Sequence, residues 1–217
     1  MESIDNIVKI IADVSGKYSP YQVFNDWITC FGIAIANQVC TSKEIWQERE
    51  EKYLSVISKY DERERFLISD MCKLTAVAME QEKMDILGYI FMISGAGNKG
   101  AGQFFSPTSV SELMARLVEE KIKQNGICTI HEPTIGSGGI VIELIKILEK
   151  RGVDYQKTIR VLGQDLDELA ANMAYIQLSI LGINAVIVQG DVLENPYNFK
   201  QTDEHLILRT PKNVGLL

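Results

Sequence analysis

A glycine-rich turn between an apolar strand and an apolar helix limits the folds open to this chain more than any other stretch. Residues 127–130 are short, apolar and mostly β-branched, which predicts a buried strand. Beyond the turn, apolar residues recur at helical spacing over 140–148, which predicts an amphipathic helix. A strand, a glycine turn and a helix form the first unit of a doubly wound sheet. Such folds bind their ligands where the turn leaves the strand.

The residues of the turn favour a polar ligand. Gly136, Gly138 and Gly139 give the backbone freedom and let a ligand approach it closely. Ser137 and the amides at the start of the following helix favour an anionic or polar group. The spacing is not that of a dinucleotide G-x-G-x-x-G turn, nor that of a P-loop, which would continue into Gly-Lys-Ser/Thr. A glycine-rich turn that binds nothing is the alternative.

The composition is that of an ordinary globular protein and argues against a nucleic-acid coat. Of the 217 residues, 46% are hydrophobic and 24% are charged, which suits one large domain or two small ones. The net charge is −7. Residues 1–95 hold ten basic and fifteen acidic side chains, and the rest hold twelve and fourteen. Neither half is therefore a basic module that would bind nucleic acid alone.

The cysteines and the apolar runs indicate a soluble intracellular protein. The four cysteines (Cys30, Cys40, Cys72 and Cys128) form no Cys-x-x-Cys pair, so we expect reduced thiols and no metal site. The amino terminus lacks a signal-peptide pattern, and no apolar run approaches about 18 residues. We therefore expect a cytoplasmic protein without a membrane segment.

The first part of the chain is predicted to be a helical bundle over residues 1–95. Apolar spacing predicts helices over 4–14, 21–39, 44–60, 62–79 and 85–93. An aromatic stripe on the second helix, which includes Phe24 and Trp27, is predicted to lie in the core. The next two helices are predicted to turn the following side chains inward: Trp46, Tyr53, Ile57, Phe66, Ile68 and Met71.

The second part, residues 96–217, is predicted to be a shortened doubly wound, Rossmann-like α/β domain. A glycine-rich linker over 94–102 leads into a helix over 108–123. Strands are predicted over 127–131, 159–163, 185–189 and 205–209, with helices over 138–150 and 168–181. Strands that alternate with helices imply parallel βαβ units.

Acidic residues follow two further strands and converge on the glycine turn. Asp165 ends the second strand, where doubly wound folds place a carboxylate that accepts hydrogen bonds from ribose hydroxyls. Asp191 ends the third strand at the same edge. Asp165 could instead cap the next helix, and Asp191 could be an ordinary turn residue. The pair Phe104-Phe105, before Ser106-Pro107, could wall a ligand or act as a hydrophobic staple.

Several motifs resemble those of N6-adenine DNA methylases, in particular the methylation subunits of type I restriction-modification systems. The stretches that carry the resemblance are 102–107 (Gly-Gln-Phe-Phe-Ser-Pro), 131–139, 163–165, 172–182 and 190–193. The resemblance implies an S-adenosylmethionine-dependent methyltransferase domain. It assigns cofactor contacts to Phe105, Ser106, Pro107, Glu132, Gly136, Ser137, Gly138, Asp165 and Asp191.

One departure from the family concerns catalysis. The family's Asn-Pro-Pro-Phe/Tyr motif should follow the fourth strand, where this chain has Thr210-Pro211-Lys212-Asn213. That motif holds the target amino group and stacks on the extruded adenine. Thr210 and Pro211 therefore mark a degenerate position, and the catalytic residues are unknown. Asn195-Pro196-Tyr197 is similar to part of that motif, but it precedes the fourth strand and is predicted to be a turn.

Three functions are compatible with these motifs. The first is an S-adenosylmethionine-binding DNA adenine-N6 methyltransferase, the second a non-catalytic regulatory or assembly subunit, and the third a methyltransferase with another substrate. DNA is the expected partner, reached with or through a partner subunit. The chain ends soon after the fourth strand, so strand order 3-2-1-4 with an open edge is expected. An open edge strand also favours a homo-oligomer.

Overall fold

The computed structural model describes residues 1–97, 108–122, 126–196 and 207–215. These residues form two compact units, one with the N-terminal helices and one with the sheet and its helices. The short segment Lys83–Asp85 belongs to the second unit, although the helix that follows it belongs to the first. We propose that the chain divides after residue 95 into two domains that fold independently. This boundary stays a prediction.

The helical unit contains the five helices that the apolar spacing predicts, with ends that differ by a few residues. Ser19 begins the second of them, because its hydroxyl accepts a hydrogen bond from the amide of Gln22 at 3.2 Å. Asp61 and Glu64 form a reciprocal capping box at the start of the fourth. The helices are α1 (Glu2–Val14), α2 (Pro20–Val39), α3 (Lys43–Ile57), α4 (Glu62–Gln81) and α5 (Ile86–Ile93).

Aromatic rings fill the core of the helical unit. The Phe24 ring meets the Trp27 ring edge-on at 5.5 Å and the Phe91 ring at 5.3 Å, and all three side chains are fully buried. Two inward predictions are wrong, since Trp46 is 42% exposed and Phe66 is 65% exposed. Trp46 lies on α3, which packs mainly on α2 and in which Val56 is the one buried residue among those described.

Burial perturbs the titration of a thiol in this core. Cys30 is 4% exposed, and burial, with the nearby Asp26 carboxylate, raises the pKa of its thiol to about 12. Between about pH 9 and pH 12 the unfolded chain releases a proton that the folded chain keeps. The free energy of unfolding should therefore fall as the pH rises through this window, by about 1.4 kcal/mol per pH unit from this group.

Urea unfolding at pH 8, 9 and 10 tests this prediction. We expect the fall in unfolding free energy with pH to be smaller in Cys30→Ala than in the wild type. Cys40→Ala, at a less buried position, leaves the Cys30 thiol in place and is the matched control. Its free energy of unfolding should fall more steeply with pH than that of Cys30→Ala. Equal slopes in all three proteins would show that Cys30 does not contribute.

The second unit is an α/β layer in which helices alternate with strands, as predicted. A short helix over 155–158 was not predicted. Its elements are α6 (Thr108–Glu119), β1 (Cys128–Glu132), α7 (Gly139–Lys150), α8 (Tyr155–Thr158), β2 (Ile159–Asp165), α9 (Glu168–Ile180), β3 (Asn184–Gln189) and β4 (Ile207–Arg209). A helical N-terminal bundle followed by a shortened doubly wound α/β domain is therefore confirmed.

The predicted strand order, 3-2-1-4, is wrong. The sheet order is β1-β2-β3-β4, in which β1, β2 and β3 are parallel and β4 runs antiparallel to β3. Ile207 pairs with Val188 and packs into an apolar cluster with Val186 and Val188. Because β4 pairs with β3, the two outer strands of the described sheet are β1 and β4.

Candidate functional site

The glycine turn that follows β1 uses two left-handed backbone positions. Gly136 has a φ of 57° and Gly138 a φ of 93°, a region that other residues rarely adopt. Gly138 directly precedes α7, and no side chain caps that end of the helix. Amides in the first turn of a helix have no partner within the helix. This turn therefore presents backbone donors at the carboxyl edge of the sheet.

Asp165 clamps the glycine turn to the end of β2. One carboxylate oxygen accepts a hydrogen bond from the Gly136 amide at 2.8 Å, and the other accepts one from the Asp167 amide at 3.0 Å. The Ile135 amide also donates to the carbonyl of Gln164 at 2.9 Å. Two consecutive residues of the turn are thus bound to the end of the neighbouring strand. Helix capping, the alternative for Asp165, is performed by Asp167, which accepts from the Ala170 amide.

Asp165 can still accept hydrogen bonds from a ligand. Its side chain is half-buried, and each carboxylate oxygen has two lone pairs. A carboxylate fixed by backbone amides at this edge suits a ligand with hydroxyl groups.

The absence of a side chain at Gly163 lets the turn pack onto the sheet. A Cβ atom at this position of β2 would lie 2.4 Å from Cδ1 of Ile135 and 2.9 Å from Cδ1 of Ile187. Ile135 belongs to the glycine turn and is buried. Gly163 therefore provides the space in which Ile135 anchors the turn over β2.

The loop after β3 is joined to the same edge. Asp191 is half-buried, and its carboxylate accepts a hydrogen bond from the Leu193 amide at 2.8 Å, as in an Asx turn. Gln164, which is 1% exposed, donates to the carbonyls of Gly190 and Asn195 at 3.2 and 3.0 Å. Asn195 lies in this loop, as predicted. The ends of β2 and β3 thus form one connected surface beside the glycine turn.

A partly buried polar network beside the turn was not predicted from the sequence. The Ser137 hydroxyl donates to one carboxylate oxygen of Asp85, and the Gln177 amide group donates to the other at 2.9 Å. The same Gln177 nitrogen donates to the Ser137 carbonyl at 2.8 Å. Asp85 stands just before a helix of the first unit, where the sequence pattern indicates only a helix start. No local signal in the sequence links it to a turn 52 residues away.

The Ser137 hydroxyl was predicted to contact a ligand, but in the network it donates to Asp85. The residue is 2% exposed, and its hydroxyl is directed to Asp85. Glu132 is half-buried at the end of β1, where its carboxylate accepts from the Thr134 amide at 3.4 Å. Phe105, Ser106 and Pro107, also predicted to contact a cofactor, lie outside the described residues.

Thr210 lies near the amino ends of the parallel strands, at the opposite end of the sheet from the glycine turn. Its hydroxyl donates to the Ile183 carbonyl at 2.7 Å and accepts from the Ala185 amide at 2.9 Å, beside the start of β3. The side chain is fully buried. Because β4 is antiparallel, its end at Thr210 and Pro211 is directed away from Asp165 and Asp191. The equivalence of Thr210-Pro211 with a catalytic motif at the ligand edge therefore does not fit this geometry.

The described part of the chain contains no cluster of three or more His, Cys, Asp or Glu side chains arranged to hold a metal ion. Within the same residues, each helix is too short or too polar to span a bilayer.

Comparison with known proteins identifies the family. The N-6 DNA methylase family matches residues 83–212, which is more than half of the chain. The chain belongs to the N-6 DNA methylase family. The match begins at Lys83, the first residue of the segment that the fold assigns to the second unit. The resemblance predicted from the motifs is thus confirmed.

Similar proteins include methylase subunits of type I restriction enzymes. The MpnII subunit of Mycoplasma pneumoniae is 25% identical over 167 residues, which are 73% of this chain and 29% of that subunit. The MjaVIII subunit of Methanocaldococcus jannaschii is 33% identical over 98 residues, or 44% of this chain and 15% of that subunit. The chain therefore spans less than a third of the length of these relatives.

A solved structure is also similar. The type I restriction-modification methyltransferase subunit from Streptococcus thermophilus is 14% identical, with a TM-score of 0.49. The similarity covers 92% of this chain and 60% of that structure.

Proposed function

We propose that this protein binds S-adenosylmethionine at the carboxyl edge of β1, β2 and β3. The observation that carries the proposal is the hydrogen bond from the Gly136 amide to the Asp165 carboxylate, which joins the glycine turn to a fixed acidic acceptor. Membership of the N-6 DNA methylase family supports the same cofactor.

The residues at this edge fit the chemical groups of the cofactor. The backbone at Gly136 and Gly138 lets a ligand approach closely, and Asp165 would accept hydrogen bonds from the ribose hydroxyls. Asp191 and Glu132 would add acceptors for its amino groups and its positive charge. Phe105, Ser106 and Pro107 complete the proposed site through the family resemblance, and Ser137 would act through its backbone. When bound, S-adenosylmethionine supplies an electrophilic methyl group.

The proposed substrate is the N6 amino group of adenine in DNA. The curated relatives are methylase subunits of type I restriction enzymes, which supports DNA as the partner of this chain. The net charge of −7 does not favour DNA binding by the chain alone, because DNA affinity depends on neutralising phosphates. We therefore propose that this chain reaches DNA through a partner subunit.

A second candidate function is a non-catalytic regulatory or assembly subunit that binds the cofactor. The location of Thr210 favours it, because the hydroxyl is buried against the start of β3 and is directed away from the proposed cofactor edge. If the chain is such a non-catalytic subunit, a partner would supply the groups that hold the target base.

Calorimetry and a methyl-transfer assay test both candidates. We expect the purified protein to bind S-adenosylmethionine, and to methylate adenine in duplex DNA only weakly unless a methylase partner subunit is added. A wild type that binds no cofactor would contradict the proposed site. Strong transfer by this chain alone would exclude the non-catalytic subunit.

Thr210→Val separates the structural and catalytic roles of this residue. We expect it to lower the free energy of unfolding by about 1–3 kcal/mol, because the Ala185 amide loses its side-chain acceptor in a buried place. Cofactor affinity, measured by calorimetry on the folded protein, should stay unchanged. If the variant keeps the wild-type stability but loses methyl transfer, Thr210 takes part in the reaction.

A further inference from the structure

A buried glutamine at the carboxyl end of β2 serves the loop over residues 190–195, which we call the β3 loop. Gln164 is 1% exposed, although glutamine is a residue type that usually lies at the surface. Its amide nitrogen Nε2 donates to the carbonyl of Gly190 at 3.2 Å and to the carbonyl of Asn195 at 3.0 Å. These two acceptors lie on either side of Asp191 in the chain. One side chain therefore holds both ends of the loop that carries Asp191.

The side-chain amide of Gln164 is oriented for donation. Its nitrogen carries two hydrogens, one for each of the two carbonyls. Its oxygen Oε1 is buried and has no hydrogen-bond partner among the described residues. A buried acceptor without a donor destabilises a fold, so its presence needs a reason. Exchanging the two atoms would place the oxygen against carbonyls that cannot donate. The unpaired oxygen is therefore the consequence of supplying the nitrogen to the loop.

The other hydrogen bonds of the β3 loop shape it or attach its start. Inside the loop, the Asn195 amide donates to the Asp191 carbonyl at 2.8 Å. The Gly190 amide donates to the backbone carbonyl of Asp165 at 2.8 Å, which fixes the start of the loop on β2. The bond from Gln164 to the Asn195 carbonyl joins the far end of the loop to the same strand. Asp191 is thus held between two attachments to β2.

We propose that Gln164 is a positioning residue that fixes Asp191 at the ligand edge and so sets the affinity of the site for S-adenosylmethionine. This role rests on the proposed function, because the place of Asp191 affects affinity only if the cofactor binds at this edge. Gln164 is too deeply buried to touch a ligand, so it acts through the loop. An acceptor that is held in place before the ligand arrives binds more tightly than one on a loose loop, because less conformational freedom is lost on binding.

Gln164→Glu tests the proposal because it keeps the size of the side chain and changes its hydrogen-bond chemistry. An ionised carboxylate has no hydrogen to donate and would face two carbonyl oxygens. Burial favours the neutral carboxyl group, so its pKa should lie above the ordinary value of about 4.3. Once protonated, the group can donate to one of the carbonyls. Relative to the wild type at the same pH, calorimetry should show about tenfold weaker cofactor binding at pH 8 and a recovery at pH 5.5.

Two further variants separate donation from packing. Gln164→Leu cannot donate at any pH, so its affinity should stay low at both pH values. Gln156→Glu is the matched control, since it makes the same change on an exposed side chain of α8 and should bind like the wild type. The ratio to the wild type removes the titration of the acidic groups around this edge, which are Glu132, Asp165, Asp167, Glu168, Asp191 and Glu194. A weakening in Gln164→Glu that does not depend on pH would overturn the proposal.

Hydrogen exchange without cofactor separates this role from the proposed function. The amides of Leu193 and Asn195 should exchange at least about tenfold faster in Gln164→Leu than in the wild type. Amides of residues 185–188 in β3 should keep their protection, which shows that the domain is folded. Unchanged exchange in the loop would overturn the positioning role. Faster exchange together with a wild type that binds no cofactor would contradict the proposed function and the effect on affinity, while Gln164 would stay the anchor of the loop.

Discussion

Replacing Asp165 by alanine is expected to weaken the binding of S-adenosylmethionine by about 1–3 kcal/mol. The substitution removes the proposed acceptor for the ribose hydroxyls. It also leaves the amides of Gly136 and Asp167 without their acceptor, so the glycine turn loses its attachment to β2. Isothermal titration calorimetry at a fixed salt concentration measures the change.

A control on the same loop separates the loss of the ligand contact from a general loss of stability. Asp167 accepts a hydrogen bond from the Ala170 amide at 2.8 Å at the start of α9. Asp167→Ala should therefore lower the free energy of unfolding by about 1 kcal/mol and leave cofactor affinity close to the wild type. Asp165→Asn, which keeps one acceptor, should bind with intermediate affinity. Wild-type affinity in Asp165→Ala would remove Asp165 from the site.

Replacing Gln177 by leucine is expected to lower the free energy of unfolding by about 2–4 kcal/mol. Gln177 is fully buried, and its amide nitrogen is a donor to both the Asp85 carboxylate and the Ser137 carbonyl. Leucine has a similar size but leaves both acceptors without this donor. A carboxylate that loses a hydrogen bond in a largely buried place is costly. Urea unfolding measures the loss.

A matched control and a double variant define the network. Gln156 donates to the Leu181 carbonyl at 3.0 Å but is exposed, so Gln156→Leu should change stability by about 0.5 kcal/mol or less. The double variant Asp85→Leu/Gln177→Leu should lose less stability than the sum of its single variants, because the two residues are partners. Additive losses, or equal losses at Gln156 and Gln177, would show that the network does not act as one unit.

If the network positions the glycine turn, the effect should reach the cofactor. Ser137 lies between Gly136 and Gly138 and is bound to Asp85 through its hydroxyl. Under conditions where Gln177→Leu is folded, it should therefore bind S-adenosylmethionine more weakly than Gln156→Leu does.

Local sequence was enough to predict the elements and the position of the turn. The helices of the first unit and the strands and main helices of the second depend on apolar spacing and on caps such as Ser19 and Asp61, which act over a few residues. Gly136 and Gly138 mark a left-handed turn because other side chains rarely adopt that conformation. Asp165 and Asp191 were expected at one edge because parallel strands bring their carboxyl ends together.

Tertiary structure alone decided the features that depend on long-range partners. The place of β4 follows from its pairing and packing with β3, and a short apolar strand carries no local sign of its neighbour or direction. That pairing directs Thr210 away from the proposed cofactor edge. The hydrogen bonds of Asp85 with Ser137 and Gln177 likewise depend on which surfaces meet. So does the exposure of Trp46 and Phe66. Apolar spacing shows that a helix has a face to cover, but only packing determines whether another element covers it.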